Sequence, residues 1–169
     1  MHAQPALDEA SAVLLESSSL SILDNDEVLY VARAATQRIM SVALHVGSRL
    51  PAYCTSMGLV LLAALDQTAR DAYLERTPLV QHTRYSVTSR AQLQRLLDTV
   101  RSDGFALVDQ QLEIGLRSIA VPVRGANGEV VAALNASSQA SRVSVARMKE
   151  EFLPVLRNAA GRVSRLLAR

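Results

Sequence analysis

The residues able to do chemistry in this chain fall into two groups. Tyr53-Cys54-Thr55-Ser56-Met57-Gly58 opens an apolar run, Met57 to Leu65, with Thr55 and Ser56 suited to a helix N-cap. A helix start carries free backbone N–H groups and a positive dipole end, so it can hold a carboxylate, and Gly58 in the first turn would permit close approach. Routine capping is the other use of the same residues. The second group, Ser118, Asn135 and Ser137, lies in two β-rich runs around Gly125-Ala126-Asn127-Gly128, where Asn-Gly marks a two-residue hairpin turn. With Asn127 and Gly128 as the loop, Ala126 faces Glu129, Ser118 faces Ser137, Ala120 faces Asn135 and Pro122 faces Ala133. The two-residue period puts the last six on one face and Ile119, Val121, Val123, Val130, Ala132 and Leu134 on the other. The first face is small and polar, with room for a bound molecule and groups to orient it. A wet surface, or one capped by a helix on its Ala and Ser residues, is the alternative, and a bulge would scramble the register.

Bond-making chemistry is poorly provided for. Cys54 has no base nearby in sequence, since His45 and His82 are distant, and it reads as a small buried or pocket-lining residue. Three histidines without clustered Cys or acidic partners give no metal signature. There is no P-loop and no Gly-x-Gly-x-x-Gly fingerprint, and Asp109 with Glu113 reads as a solvated surface pair. The expectation is a binding protein, not an enzyme, with no cofactor and no metal.

The elements that must position these groups follow from periodicity. Leu7, Ala10, Val13, Leu14 and Ser17 predict a helix over 7–18, followed by strands at Leu20–Asp24, Val28–Ala34 and Ile39–Val46. Asp24-Asn25-Asp26 suits the turn between the first two strands. A helix from Met57 to Leu65 and one short helix within Asp66–Tyr85 follow. Thr88–Arg101 is an amphipathic helix closed by Gly104, and Phe105–Val108 is a short strand. From Ser144 a helical stripe carries Val145, Met148, Phe152, Ala159, Val163 and Leu166, with a kink or break expected at Pro154. Strands interrupted by helices indicate an α+β domain with one antiparallel sheet, and 169 residues suffice for a single domain with a real core. A net charge of +2 with dispersed basic residues is a poor footprint for gripping nucleic acid directly. The lone Cys54 and the lack of a long apolar run indicate a cytoplasmic location without membrane attachment.

Four stretches resemble the C-terminal domain of IclR-type transcriptional regulators. They are Asp26-Glu27-Val28-Leu29-Tyr30-Val31-Ala32-Arg33, Leu50 to Gly58, Gly104 to Gln110, and Gly115-Leu116-Arg117-Ser118-Ile119-Ala120-Val121-Pro122-Val123. The second and fourth are especially similar to the subgroup controlling aromatic-acid breakdown through the β-ketoadipate route. The resemblance implies a GAF-like fold over residues 1–169, with an effector pocket on one sheet face and self-association into dimers or tetramers. It also implies a winged helix-turn-helix, absent from this chain, through which DNA would be bound. The effector contacts it implies are Ser56, Met57, Ser118, Asn135 and Ser137. Cys54, Thr55, Val108, Ala120, Arg33 and Arg38 are further candidates for the pocket wall. The effector's carboxylate would dock at the helix start near Ser56 and Met57, with Arg33 or Arg38 adding a charge-assisted bond. Val108 stands where the family signature has Asp or Ser, Gln111 where it has Glu, and Leu59 where the subgroup usually has Arg. An apolar residue at 108 suits an aromatic ring better than glyoxylate. The expected partner is therefore a small aromatic carboxylate, such as protocatechuate or 4-hydroxybenzoate. The alternatives are a GAF-like sensor of a non-aromatic acid or another ligand, and a dimerisation module with a vestigial pocket.

Overall fold

The computed structural model describes residues 2–36 and 44–169. Arg38 and most of the expected strand Ile39–Val46 lie outside them, and Leu44–Val46 are not strand. Helix α1 spans Gln4–Leu14, a turn earlier than expected, with Pro5 in its first turn, where the missing N–H has no intrahelical acceptor in any case. Strands β1 (Ser17–Asp24) and β2 (Glu27–Ala34) follow, joined by the tight turn expected at Asn25, whose φ is 55°. The short strand β3 (Arg49–Pro51) had no sequence signal of its own. Helices α2 (Ser56–Ala63), α3 (Gln67–Arg76) and α4 (Arg90–Asp103) come next, and Gly104 closes α4 at φ 75° as anticipated. Strands β4 (Ala106–Asp109), β5 (Leu116–Arg124) and β6 (Val130–Gln139) complete an antiparallel sheet of order β3-β2-β1-β6-β5-β4. The α+β class with one helix-flanked antiparallel sheet is the one the sequence indicated.

The irregularity expected at Pro154 falls just ahead of it. After α5 (Val145–Arg147) the chain makes a π-helical turn over Met148–Phe152, in which the Leu153 N–H donates to the Met148 carbonyl. That turn delivers Pro154 to the first turn of α6 (Leu153–Leu167), where its ring blocks no bond. Met148, Phe152, Ala159 and Val163 are buried as the stripe predicted, whereas Leu166 is exposed.

The sheet separates two cores. Helices α1 and α6 cover the back face, where Leu20, Ile119, Val121, Leu134, Phe152 and Leu156 interlock. Helices α2, α3 and α4 cover the front face over Val28, Tyr30, Ala120 and Ala133. The hairpin β5–β6 has the derived register over most of its length: Ser118 opposes Ser137, Ala120 opposes Asn135, and Pro122 opposes Ala133. Its tip differs. Gly125 N–H donates to the Glu129 carbonyl and Gly128 N–H to that of Gly125, with Gly128 at φ 80°, so the connection is longer than two residues. The pairing slips between Val123–Ala132 and Arg124–Val130, leaving Val131 as an extra residue. Val130 accordingly packs on the front face, not with the greasy back-face set. A second bulge lies on β2, where Leu20 pairs with Ala32 but Ser21 pairs with Tyr30, so Val31 has no partner across the strand. Among the described residues no helix is long and apolar enough to cross a membrane.

Candidate functional site

Two cross-strand rows bring the front-face polar residues together. Arg33, Ser19, Asn135, Ala120 and Ala106 form one row across β2, β1, β6, β5 and β4. Ser17, Ser137, Ser118 and Val108 form the next, from β1 to β4. The start of α2 lies over them: the Ser118 hydroxyl donates to Ser56 Oγ at 2.9 Å, and the Ser21 hydroxyl donates to Met57 Sδ at 3.1 Å. Between sheet and helix is a cavity, partly enclosed, with about 660 Å³ of atom-free space when its open mouth is included.

Ser56, Met57, Ser118, Asn135 and Ser137 all line this cavity, as do Cys54, Thr55, Val108 and Arg33. Ala120 does not. It occupies the expected row but is fully buried in the packing beneath α2, which covers β5 at that point. Arg38 lies outside the described residues. Tyr30, Ser17 and Leu112 are wall residues that sequence reasoning missed. Ser17 could have been found from the Ser17-Ser18-Ser19 run, since three hydroxyls in succession are an unusual choice for a buried strand. Tyr30 and Arg33 could not. Three residues apart on a regular strand, they would face opposite ways, and the bulge at Val31 is what turns both to the front.

The role expected for Gly58 is corrected by its surroundings. A Cβ there would stand 2.1 Å from the Ala52 carbonyl oxygen, so the glycine lets α2 pack on the turn Ala52–Cys54 and does not face a ligand. Thr55 caps the helix by accepting from Gly58 N–H at 3.2 Å. Part of the helix start is thus spent on capping. Tyr53 points away from the cavity. Its hydroxyl accepts from Val80 N–H at 3.2 Å and bonds His82 Nε2 at 3.1 Å, with the two rings stacked. This contact fastens the segment after α3. Thr83 and Ser86 of that segment donate to the carbonyls of Gln110 and Gln111, beside the wall residue Leu112.

The cavity's electrostatics are uneven. Burial pushes the Tyr30 hydroxyl and the Cys54 thiol up to about 12, so both stay neutral near pH 7. A thiol held neutral is a poor nucleophile, and that of Cys54 donates to the Pro51 carbonyl at 4.0 Å. Arg33 is the one charged side chain among the described wall residues. Its Nη1 donates to Ser19 Oγ at 2.9 Å, but its Nε is buried without a partner among the described residues, and burial lowers its pKa from the ordinary arginine value. Asn135 donates from Nδ2 to Ser137 Oγ at 3.3 Å and keeps a buried Oδ1 that no described residue bonds. Asp109, read from sequence as a surface acid beside Glu113, instead accepts from Arg117 Nε at 3.0 Å. An apolar slot with hydroxyls, one amide and one cation can hold and orient a small anion.

Comparison with known proteins points to one family. Residues 1–165 match the family described as bacterial transcriptional regulator IclR, C-terminal. The Pca regulon regulatory protein of Pseudomonas putida is 48% identical over 155 residues, which is 91% of this chain and 53% of that protein. The chain thus spans about half the length of this relative. Among solved structures, a double mutant of the inducer-binding domain of the PobR transcription factor from Acinetobacter, in complex with 3-hydroxybenzoic acid, superposes with a TM-score of 0.91. It is 37% identical, and the match covers 98% of this chain and 97% of that one. An IclR homologue from Microbacterium hydrocarbonoxydans complexed with 4-hydroxybenzoate gives a TM-score of 0.87 at 29% identity, over 96% of this chain and 65% of that one.

Proposed function

Because this chain belongs to the IclR family of bacterial transcriptional regulators, as a C-terminal effector-binding domain, we propose that its cavity senses a small aromatic carboxylate such as protocatechuate or 4-hydroxybenzoate. The carrying observation is the cavity wall: apolar Met57, Val108 and Leu112 to cover a ring, hydroxyls and Asn135 to direct it, and one cation for its acid. The hydroxybenzoates held by the two solved relatives support the same ligand class. Ser56, Met57, Ser118, Asn135 and Ser137 are the proposed contacts. In this reading the chain works in the cytoplasm as a dimer or tetramer. DNA is read by a separate winged helix-turn-helix, and effector binding shifts the subunit arrangement by no more than the effector's differential affinity for the two states.

A thermal-shift panel of protocatechuate, 4-hydroxybenzoate, β-ketoadipate, catechol, benzoate, pyruvate and glyoxylate tests this. At a hundredfold excess over its Kd, a ligand adds about 2.7 kcal/mol of stability. A selective rise in Tm with one aromatic acid is expected. A rise with glyoxylate or pyruvate alone would overturn the aromatic assignment and the argument from Val108. No shift with any compound would favour a dimerisation module with a vestigial pocket.

A further inference from the structure

We propose that Arg33, and not the start of α2, receives the effector's carboxylate, so that the ligand lies with its acid toward β2 and its ring hydroxyl toward the Ser56–Ser118 pair. This rests on the sensor reading and adds an orientation to it. Three observations carry it. Arg33 is the only charged wall residue among those described, and no carboxylate lines the cavity to neutralise it. Its Nε is buried with no acceptor among the described residues, an expensive state for a guanidinium unless an anion arrives. The bulge at Val31 exists in the one strand segment where a regular register would have aimed residue 33 and Tyr30 to opposite faces.

The other end of the cavity suits a neutral group. Gly58 N–H is already taken by Thr55, and the Ser56 and Ser118 hydroxyls bond each other, a pair that can accept and donate to a phenol without any charge. Arg33 on β2 and Ser118 on β5 are three strands apart, roughly 14 Å between backbones at the usual spacing. With the long arginine arm spanning part of that gap, what remains is on the order of one substituted benzene ring. Asn135, on β6 beside the Ser118 end and with an open Oδ1 among the described residues, adds an acceptor for a donor on the ring.

The test is calorimetric titration of the wild-type chain, Arg33→Met and Arg33→Lys with 4-hydroxybenzoate, protocatechuate and the neutral 4-hydroxybenzamide. The wild type should prefer acid to amide, and Arg33→Met should weaken the acids by about 30- to 100-fold while changing the amide by less than about threefold. Arg33→Lys should fall between, keeping the charge and losing the fork. The empty Arg33→Met chain should melt no lower than wild type, because it sheds an unpaired, partly buried charge. Acid affinity that survives in Arg33→Met would overturn the orientation, as would equal losses for acid and amide. A wild-type chain that binds none of the three would overturn the sensor reading and this orientation together.

Discussion

The two faces of the sheet are made by the same strands and are built to opposite ends. On the back, Leu20, Ile119, Val121 and Leu134 are at most 6% exposed and meet the apolar stripes of α1 and α6. Polar groups there are paired: Ser18 donates to the Leu7 carbonyl and bonds Ser11, and Ser138 donates to Glu16. On the front, the alternate residues of the same strands are Ser17, Ser19, Ser118, Asn135 and Ser137, and two of the polar atoms there, Arg33 Nε and Asn135 Oδ1, are buried with nothing to bond among the described residues. Period-two alternation lets one strand serve both ends: the back face supplies the stability that an incompletely satisfied front face gives up.

That contrast can be broken most severely from the back. Phe152→Ala should cost about 3–5 kcal/mol in urea unfolding, because a fully buried ring between α6 and the sheet leaves a cavity. Effector affinity of the fraction still folded should be unchanged. Ser118→Leu on the front should do the reverse, with an affinity loss of at least about a hundredfold in titration and a stability change under about 2 kcal/mol. Unchanged affinity would sink the pocket assignment. Asn135→Leu sharpens the comparison by making the front more like the back. It should stabilise the empty chain by about 1 kcal/mol, since an unpaired buried oxygen goes, and weaken aromatic-acid binding about tenfold. The smallest effect belongs to neither face. Arg76 grips Asp26 with both oxygens engaged, tying α3 to the β1–β2 turn, and its hydrogen bond holds the Asp26 carboxyl below its usual range. A carboxylate with a lowered pKa contributes stability above its unfolded value and loses it as pH falls through the folded one. Arg76→Ala should therefore lower Tm by no more than about 2 °C at neutral pH, and by less as the solution is acidified through the carboxylate range.

Much of the front face was legible before any coordinates. The Asn-Gly signal and the two-residue period place Ser118, Asn135 and Ser137 together, and hydroxyls ahead of an apolar run mark the start of α2. The hidden features are those that break a period. Val31 and Val131 are ordinary strand residues with nothing to mark them as bulges, yet one decides where Arg33 points and the other moves Val130 to the front. The adjacency of β1 and β6, which brings Ser17 beside Ser137, is a pairing between strands more than a hundred residues apart, and no local pattern encodes it. The type of Gly58 signals a close approach but not its neighbour: the freedom from a Cβ is used against Ala52.

The bulge at Val31 has a consequence for how this segment can change. Each residue of β2 on either side of it is assigned to a face by counting from the turn at Asn25. Deleting the codon for Val31 would remove the extra residue and leave Tyr30, Ala32, Arg33 and Ala34 on the faces they now hold, as would exchanging Val31 for another β-former. What a lineage or a designer must preserve is the pairing of Ala32 with Leu20 and of Tyr30 with Ser21, which neither change disturbs.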